Sequence, residues 1–70
     1  MTRTPVSSSN VSSVGYDEKK RVLEIEFTNK QVYQYQDVSP VSHKALLAAP
    51  SKGQYVHMNI RGKYAFARVE

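Results

Sequence analysis

The chain has 70 residues, 40% of them hydrophobic and 23% charged, and its ten Lys and Arg against six Asp and Glu give a net charge of +4. This length fits one small domain, and the absence of cysteine excludes both a disulfide framework and a thiolate zinc site. No apolar run approaches the roughly 18 residues of a membrane span, and the amino-terminal stretch lacks the apolar core of a secretory signal, so we expect a cytoplasmic protein.

The amino-terminal residues 1–9 are polar and include three consecutive serines. This composition predicts a flexible tail, followed by a single domain at residues 10–70. Within that domain, residues 10–16 predict a short extended segment in which Gly15 favours a bulge. Residues 17–20 are all charged and predict a turn.

The clearest element is residues 21–28, where apolar and polar side chains alternate. This period of two is typical of a half-buried strand whose inner face carries Leu23, Ile25 and Phe27. A second alternating run follows at residues 32–36. Because only a few polar residues separate the two runs, we expect a β-hairpin.

The length of the hairpin loop decides which way the tyrosines face. A two-residue loop would place Phe27 opposite Val32 and would turn Tyr33 and Tyr35 outward, beside the glutamates. A three-residue loop, 29–31, would place Phe27 opposite Tyr33 and make one face of the sheet uniformly apolar. The second arrangement gives the better alternating pattern and makes both tyrosines mainly core residues.

A first helix is predicted after Ser39, which can cap it, because Pro40 is favoured at the first helical position. The following residues are strong helix formers until Pro50 ends the run. The predicted inner stripe of this helix carries Val41, Ala45 and Ala48, flanked by Leu46 and Leu47.

Residues 52–61 fit two kinds of secondary structure. Ser51 can cap a second helix and Gly62 can end it, which favours the helix. The alternative is a strand, because apolar side chains also alternate at positions 56, 58 and 60. The last alternating residues, 64–69, predict a closing strand.

Together these elements predict an α+β fold. It consists of a small antiparallel meander of about three strands, packed against two short helices, and a carboxyl-terminal closing strand. The expected core residues are Val14, Leu23, Ile25, Phe27, Tyr33, Tyr35, Val38, Val41, Ala45, Leu46, Val56, Ile60 and Phe66.

Several short motifs occur in a characteristic order: Val14-Gly15-Tyr16-Asp17, Leu23-x-Ile25-x-Phe27, Tyr33-Gln34-Tyr35, Val38-Ser39-Pro40, Ala49 to Val56, Ile60-Arg61 and Tyr64. In this order and spacing, over about residues 10–69, the chain resembles the KTSC domain. That domain is named for its occurrence at the carboxyl end of some lysyl-tRNA synthetases, and it also occurs alone in small bacterial proteins. Its central signature is the Tyr-x-Tyr motif, here Tyr33 and Tyr35.

The resemblance implies a fold unit and a connection to RNA, and it implies no enzymatic activity. Two residues depart from the family pattern. Lys30 stands where we expect a glycine in the hairpin turn, and His57 stands where the family often has asparagine. Any role assigned to these two positions from the family is therefore open.

No catalytic, cofactor-binding or metal-binding constellation is visible in the sequence. His43 and His57 are fourteen residues apart, and no carboxylate pair flanks either of them. Two histidines without cysteine provide no metal-ligand spacing, and the three glycines form no phosphate-binding pattern. We therefore predict no enzyme, no cofactor and no metal; an enzyme would have to use His57 beside Arg61.

The positive charge lies in one part of the chain. Residues 1–40 hold five basic and five acidic residues, whereas residues 41–70 hold five basic residues and Glu70 as the single acid. Such asymmetry is compatible with an anionic partner. The alternative is that the surplus charge only maintains solubility.

The segment Ser51-Lys52-Gly53 is the first candidate for anion binding. If Ser51 caps a helix, the free N–H groups of the first turn attract a phosphate, and Gly53 lets an anion approach the backbone. An ordinary solvated helix end is the alternative.

The sequence thus predicts a non-catalytic binding module whose partner is RNA, either tRNA or another RNA, or an acidic protein surface. The alternative is a protein-interaction module that uses a sheet edge or the Tyr-x-Tyr patch. Tyr33 and Tyr35 are then either core residues or a stacking platform for bases. The candidate nucleic-acid-binding residues are Ser51, Lys52, Gly53, Tyr55, His57, Arg61, Lys63, Tyr64 and Arg68.

Overall fold

A computed structural model describes residues 2–70 as an antiparallel sheet with two short helices on one face. The strands follow one another across the sheet in chain order. This confirms the α+β class, although the sheet has five strands rather than three and a closing strand. The elements are β1 (Thr4–Pro5), β2 (Val11–Asp17), β3 (Val22–Phe27), β4 (Val32–Tyr35), α1 (Pro40–Ala48), α2 (Lys52–Tyr55), which continues as a π-helical turn at Val56–Ile60, and β5 (Phe66–Arg68).

The first strand lies in the segment expected to be a flexible tail. Thr4 pairs with Val14 of β2, and the side chain of Arg3 forms an ion pair of 2.6 Å with Glu24 on β3. The structure therefore differs from the expectation for these residues, because an edge strand held by backbone hydrogen bonds and by the ion pairs of Arg3 with Glu24 and Glu26 needs few apolar side chains. Met1, also part of the expected tail, lies outside the described residues.

The β3–β4 hairpin has a three-residue loop, but at residues 28–30 rather than 29–31. The Phe27 amide donates to the carbonyl oxygen of Gln31, and the Lys30 amide donates to that of Phe27. Tyr33 therefore lies opposite Ile25, two positions from the expected partner. Because a shift of two residues keeps each side chain on its face, the expected apolar face is confirmed while the expected pairing is wrong.

Lys30 adopts a backbone φ of +71°, in the left-handed region that favours glycine. We expect Lys30→Gly to raise the free energy of unfolding by about 0.5–1 kcal/mol, because relief of this backbone cost exceeds the entropy that glycine adds to the unfolded chain. Urea denaturation followed by circular dichroism would measure the change.

Lys20 is the matched control, since it is also an exposed turn lysine but has a negative φ. Lys20→Gly should lower stability by about 0.5–1 kcal/mol, because only the entropic term remains. Destabilisation by both substitutions would contradict the assignment of backbone strain to Lys30.

The core lies between the helices and one face of the sheet. It includes residues from three strands, both helical segments and the loop before α1. Most of the expected core is confirmed, and Phe27 and Tyr33 are half-buried at its margin. The buried core residues are Val11, Val14, Leu23, Ile25, Tyr35, Val38, Leu46, Val56 and Ile60.

The inner stripe predicted for α1 is wrong, because Val41 is 76% exposed and Ala45 and Ala48 are also exposed. The capping of α1 by Ser39 is confirmed, since the Ser39 hydroxyl accepts a hydrogen bond from the amide of Ser42. The helix packs through Leu46 and through polar and aromatic contacts on the same side. The spacing of apolar residues alone does not indicate such contacts. Phe66, also expected in the core, is 55% exposed because β5 is an edge strand.

The second helical segment is confirmed as a helix rather than a strand. The Ser51 hydroxyl accepts a hydrogen bond from the amide of Gln54 and caps α2 as expected. The chain leaves the π-helical turn at Arg61, and Gly62 follows with a φ of +77°. A glycine at this position allows the reversal that leads the chain back to the sheet as β5.

Candidate functional site

Three aromatic rings, one each on β3, β4 and β5, form a continuous group. The rings of Tyr33 and Phe66 are stacked at 5.3 Å between centroids. Phe27 meets Tyr33 edge to face at 5.5 Å. Because Phe66 is more than half exposed and the other two are half-buried, part of this aromatic group faces solvent.

Two arginines flank these rings. Arg68 lies directly opposite Tyr33 in the β4–β5 register, and the Arg61 guanidinium lies 5.9 Å from the centre of the Phe27 ring. Within residues 2–70, neither guanidinium forms an ion pair with an Asp or Glu side chain, although Arg68 Nε donates a hydrogen bond to the main-chain oxygen of Glu70 at 3.2 Å. The Arg61 guanidinium and the remaining N–H groups of Arg68 can therefore contact a ligand. We call this group the aromatic–arginine surface: Phe27, Tyr33, Phe66, Arg61 and Arg68.

The π-helical turn determines the position of Arg61. Its last hydrogen bond runs from the Arg61 amide to the carbonyl oxygen of Val56, at 2.8 Å. Val56 and Ile60 of the same turn are buried, so the turn is anchored in the core. The wider turn ends the helix beside the hairpin, where Arg61 reaches Phe27. Such π-helical turns frequently occur at functional sites.

A cleft of about 300 Å³ opens beside the aromatic–arginine surface. Phe27, Tyr33 and Arg61 of the aromatic–arginine surface contribute to its lining. This volume is at the lower end of the usual range for small-molecule sites, about 300–1,000 Å³. The cleft is lined by Asn10, Phe27, Thr28, Asn29, Gln31, Tyr33 and Arg61.

The Ser51-Lys52-Gly53 segment lacks the open approach to Gly53 on which its interpretation as an anion site depends. A Cβ added to Gly53 would lie 3.0 Å from the Ser8 hydroxyl, so the space beside this glycine is filled by the amino-terminal segment. The Lys52 ammonium group donates to the carbonyl oxygen of Ala49 at the end of α1. The expected approach of a phosphate to Gly53 is therefore wrong, and Ser51 acts as a helix cap.

The other candidate residues divide into two groups. Tyr55 and Tyr64 are half-buried against the core, and the Tyr64 hydroxyl lies 3.4 Å from that of Ser42; neither ring is paired with the aromatic rings of the aromatic–arginine surface. His57 and Lys63 are exposed, but neither contacts the aromatic rings. Of the nine candidates, the structure brings Arg61 and Arg68 together with an aromatic surface.

The two signature tyrosines have different environments. Tyr35 is 1% exposed, and burial raises the pKa of its hydroxyl, partly offset by the Arg61 charge. Tyr33 is half-buried and belongs to the aromatic–arginine surface. Tyr35 is thus a core residue, whereas Tyr33 lies at the margin of the core with part of its ring exposed.

His43 has a structural environment. Its ring stacks on Tyr16 at 4.5 Å between centroids, and burial lowers its pKa. The Tyr16 hydroxyl donates to the carbonyl oxygen of Val38. Within residues 2–70, no three potential ligands of the His, Cys, Asp and Glu types group together, and no helix is long and apolar enough to cross a membrane.

Sequence reasoning missed Phe27 and Phe66 as members of the site. The alternating pattern assigns both to the core face, which is correct, but it does not show that the helices cover only part of that face. The signal that could have indicated this is the pairing of Phe66 and Arg68 on one face of the last strand, since an arginine in a buried core would need a partner.

Comparison with known proteins finds the KTSC domain model over residues 7–64. The crystal structure of a KTSC domain protein from Yersinia pestis superimposes with a TM-score of 0.95 at 39% identity, covering 99% of this chain and 97% of that one. An uncharacterised protein of Stutzerimonas stutzeri is 34% identical over the full length of both chains. A lysine–tRNA ligase of Nostoc punctiforme is 38% identical over 61 residues, which are 87% of this chain and 11% of the ligase.

Proposed function

The chain belongs to the KTSC domain family, and we propose that it is a non-catalytic module that binds single-stranded RNA through the aromatic–arginine surface. The observation that carries this proposal is the combination of a partly exposed group of contacting rings with two arginines that form no ion pair with an acidic side chain within residues 2–70. Aromatic rings beside a basic groove are the usual means of holding unpaired bases and their phosphates.

The charges around the surface support an anionic ligand. Arg61, Lys63 and Arg68 lie within eight residues of one another, and all three are exposed. Glu24 and Glu26 point to the opposite face of the sheet, where Arg3 forms ion pairs with both and offsets one of their two charges. The sheet therefore separates these two carboxylates from Arg61, Lys63 and Arg68, which supports a positive potential at the aromatic–arginine surface.

The relatives support RNA as the class of ligand. A domain with this sequence pattern occurs in proteins named lysine–tRNA ligase from three cyanobacterial strains, where it matches 11% of each ligase. The remaining length of such a ligase has no counterpart in this chain, so its activity does not transfer. We propose that the shared domain contributes contacts to RNA, either tRNA or another single-stranded RNA, and that the protein acts in the cytoplasm.

Titration of the protein with a fluorescent single-stranded RNA at several salt concentrations tests this proposal. If Arg61 and Arg68 each neutralise one phosphate, the logarithm of the affinity should fall by about 1.4 for each tenfold rise in salt. Arg61→Ala should weaken binding and reduce that slope by about half. Lys19→Ala, in the turn between β2 and β3, is the matched control and should leave both quantities unchanged.

An affinity that does not change with salt, or equal effects of Arg61→Ala and Lys19→Ala, would refute the proposed RNA interface. The alternative is a protein partner at the exposed β5 edge, where Phe66 is 55% and Val69 is 46% exposed. Such a partner would pair with the edge backbone and would bind with little salt dependence.

A further inference from the structure

We infer that two copies of this chain associate edge to edge through β5 and join their five-stranded sheets into one continuous sheet. This inference goes beyond the proposed function and does not depend on RNA. It rests on the outward backbone groups of β5, on the exposure of this strand, and on the order of its side chains.

The outer edge of β5 carries backbone groups that point away from the sheet. The carbonyl oxygen of Ala65 and the amide of Val69 form hydrogen bonds with β4 and the residue that follows it. Because hydrogen-bonded positions alternate along an antiparallel pair, the N–H and C=O groups of Phe66 and Arg68 point outward. Such an edge is a template for pairing with another strand.

The side chains of this edge expose apolar surface on both faces of the sheet. Every residue of β5 is exposed, and Phe66 and Val69 are 55% and 46% exposed. These two side chains lie on opposite faces, because side chains alternate along a strand. A second strand beside β5 would therefore remove apolar surface from water on both faces.

The order of the side chains favours a second copy as the partner. Ala67 is the central residue of β5, and antiparallel pairing about it places Phe66 of each copy opposite Arg68 of the other. A guanidinium is attracted to an aromatic ring, so this face gains two equivalent cross-strand pairs. On the other face Ala67 meets its own counterpart and Val69 meets Ala65, so this face has no charge in the contact.

This register also satisfies the backbone. The outward groups of Phe66 in one copy bond to those of Arg68 in the other, because the two residues lie on either side of the two-fold axis. Pairing centred on Arg68 would oppose like charges. Pairing centred on Phe66 would extend the contact into the turn around Gly62. The register centred on Ala67 avoids both costs and brings the two aromatic–arginine surfaces side by side.

Sedimentation equilibrium of the wild-type protein without RNA tests the association. The short edge buries less surface than the roughly 1,600 Å² of a standard interface, so we expect a dissociation constant of about 0.1 mM. The weight-average mass should rise from close to that of one chain at about 0.01 mM to close to that of two chains at about 1 mM. A mass that stays at that of one chain would refute the association and leave the proposed RNA interface unaffected.

Two substitutions at one exposed position test the register. Phe66→Lys places like charges opposite Arg68 in both pairs and should weaken association about tenfold. Phe66→Glu places opposite charges there and should keep the affinity within about twofold of that of the wild type. Thermal melting would show that both variants are folded. Equal weakening by the two substitutions would refute the pairing of Phe66 with Arg68.

The matched controls are Val41→Lys and Val41→Glu, at a position of α1 that is 76% exposed. They change the net charge by the same amounts and should leave association unchanged. If Val41→Lys weakened association as much as Phe66→Lys, the effect would come from net charge, and the contact through β5 would be refuted.

Amide hydrogen exchange provides a measurement that needs no substitution. The amides of Phe66 and Arg68 point to solvent in a single chain, so they should exchange about fourfold more slowly at about 1 mM than at about 0.01 mM. The Val41 amide, in the first turn of α1, should exchange equally at both concentrations. Unchanged exchange at Phe66 and Arg68 despite a doubled mass would place the contact elsewhere and refute association through β5.

Discussion

Replacing Tyr35 with alanine is expected to unfold the protein at room temperature. The Tyr35 ring is 1% exposed and belongs to the core between β3, α1 and the π-helical turn. Truncation of a buried aromatic side chain to alanine costs about 3–5 kcal/mol. A domain of this size has only about 3–5 kcal/mol of stability, so the loss is comparable to the whole. Circular dichroism and dispersion of the amide NMR spectrum would measure it.

Two substitutions are controls for this result. Tyr35→Phe keeps the ring and removes a hydroxyl that forms no hydrogen bond within residues 2–70, so it should cost less than about 1.5 kcal/mol. Tyr33→Ala removes a half-buried ring of the same strand and should leave a folded protein with weaker RNA binding. A cooperative transition of Tyr35→Ala close to that of the wild type would contradict the position of Tyr35 at the centre of the core.

Replacing Arg3 with alanine is expected to lower the free energy of unfolding by about 1–3 kcal/mol at pH 7, because the buried Glu24 carboxylate would lose its main counterion. Glu24 is 6% exposed and accepts hydrogen bonds from Arg3 at 2.6 Å and from Gln34 at 2.8 Å. Burial raises the pKa of Glu24, but the hydrogen bonds from Gln34 and Arg3 and the Arg3 charge outweigh it, so its pKa lies below the ordinary value.

The sign of the pH dependence follows from this direction. A carboxyl group whose pKa is lower in the folded protein stabilises the fold above its unfolded pKa, about 4.3, and that stability is lost as the pH falls through the folded pKa. The difference between wild type and Arg3→Ala should therefore be large at pH 7 and small near pH 2. Urea denaturation at both pH values measures it.

Glu24→Gln is the matched background for this test, because it keeps the contact with Gln34 and removes the charge. In that background, Arg3→Ala should cost much less than in the wild type, which measures the coupling between the two side chains. An equal cost of Arg3→Ala in both backgrounds would show that Arg3 stabilises β1 without Glu24.

The sequence predicts the face of the sheet more reliably than its register. Alternation puts Tyr33 and Tyr35 on one face of β4, and a three-residue loop at either 28–30 or 29–31 puts that face with Leu23 and Ile25, whereas a two-residue loop would turn it outward. The loop itself depends on whether Lys30 adopts a positive φ, and a lysine gives no local indication of that. In the family pattern we expect a glycine at position 30, which would indicate a turn with a positive φ. Because a lysine stands there instead, the sequence does not indicate this turn.

The candidate site was only half predictable. The basic character of the last thirty residues identified Arg61 and Arg68, because charge is visible without a fold. The partners of these arginines depend on long-range placement: the π-helical turn directs Arg61 to Phe27, and the β4–β5 register puts Arg68 opposite Tyr33. For Gly53, long-range placement removes a predicted contact instead of adding one. The space beside this glycine, which the sequence analysis leaves open for a ligand, is occupied by Ser8.

The order of the strands also determines how the domain can be attached to another molecule. Because β1 and β5 are opposite edges of the sheet, the two chain ends leave from opposite sides. A tag or surface linker joined ahead of residue 2 would hold the molecule by the side away from Phe66 and leave its rings accessible. The same linker after Glu70 would emerge beside Arg68 and obstruct it, so immobilisation for binding measurements should use the amino end.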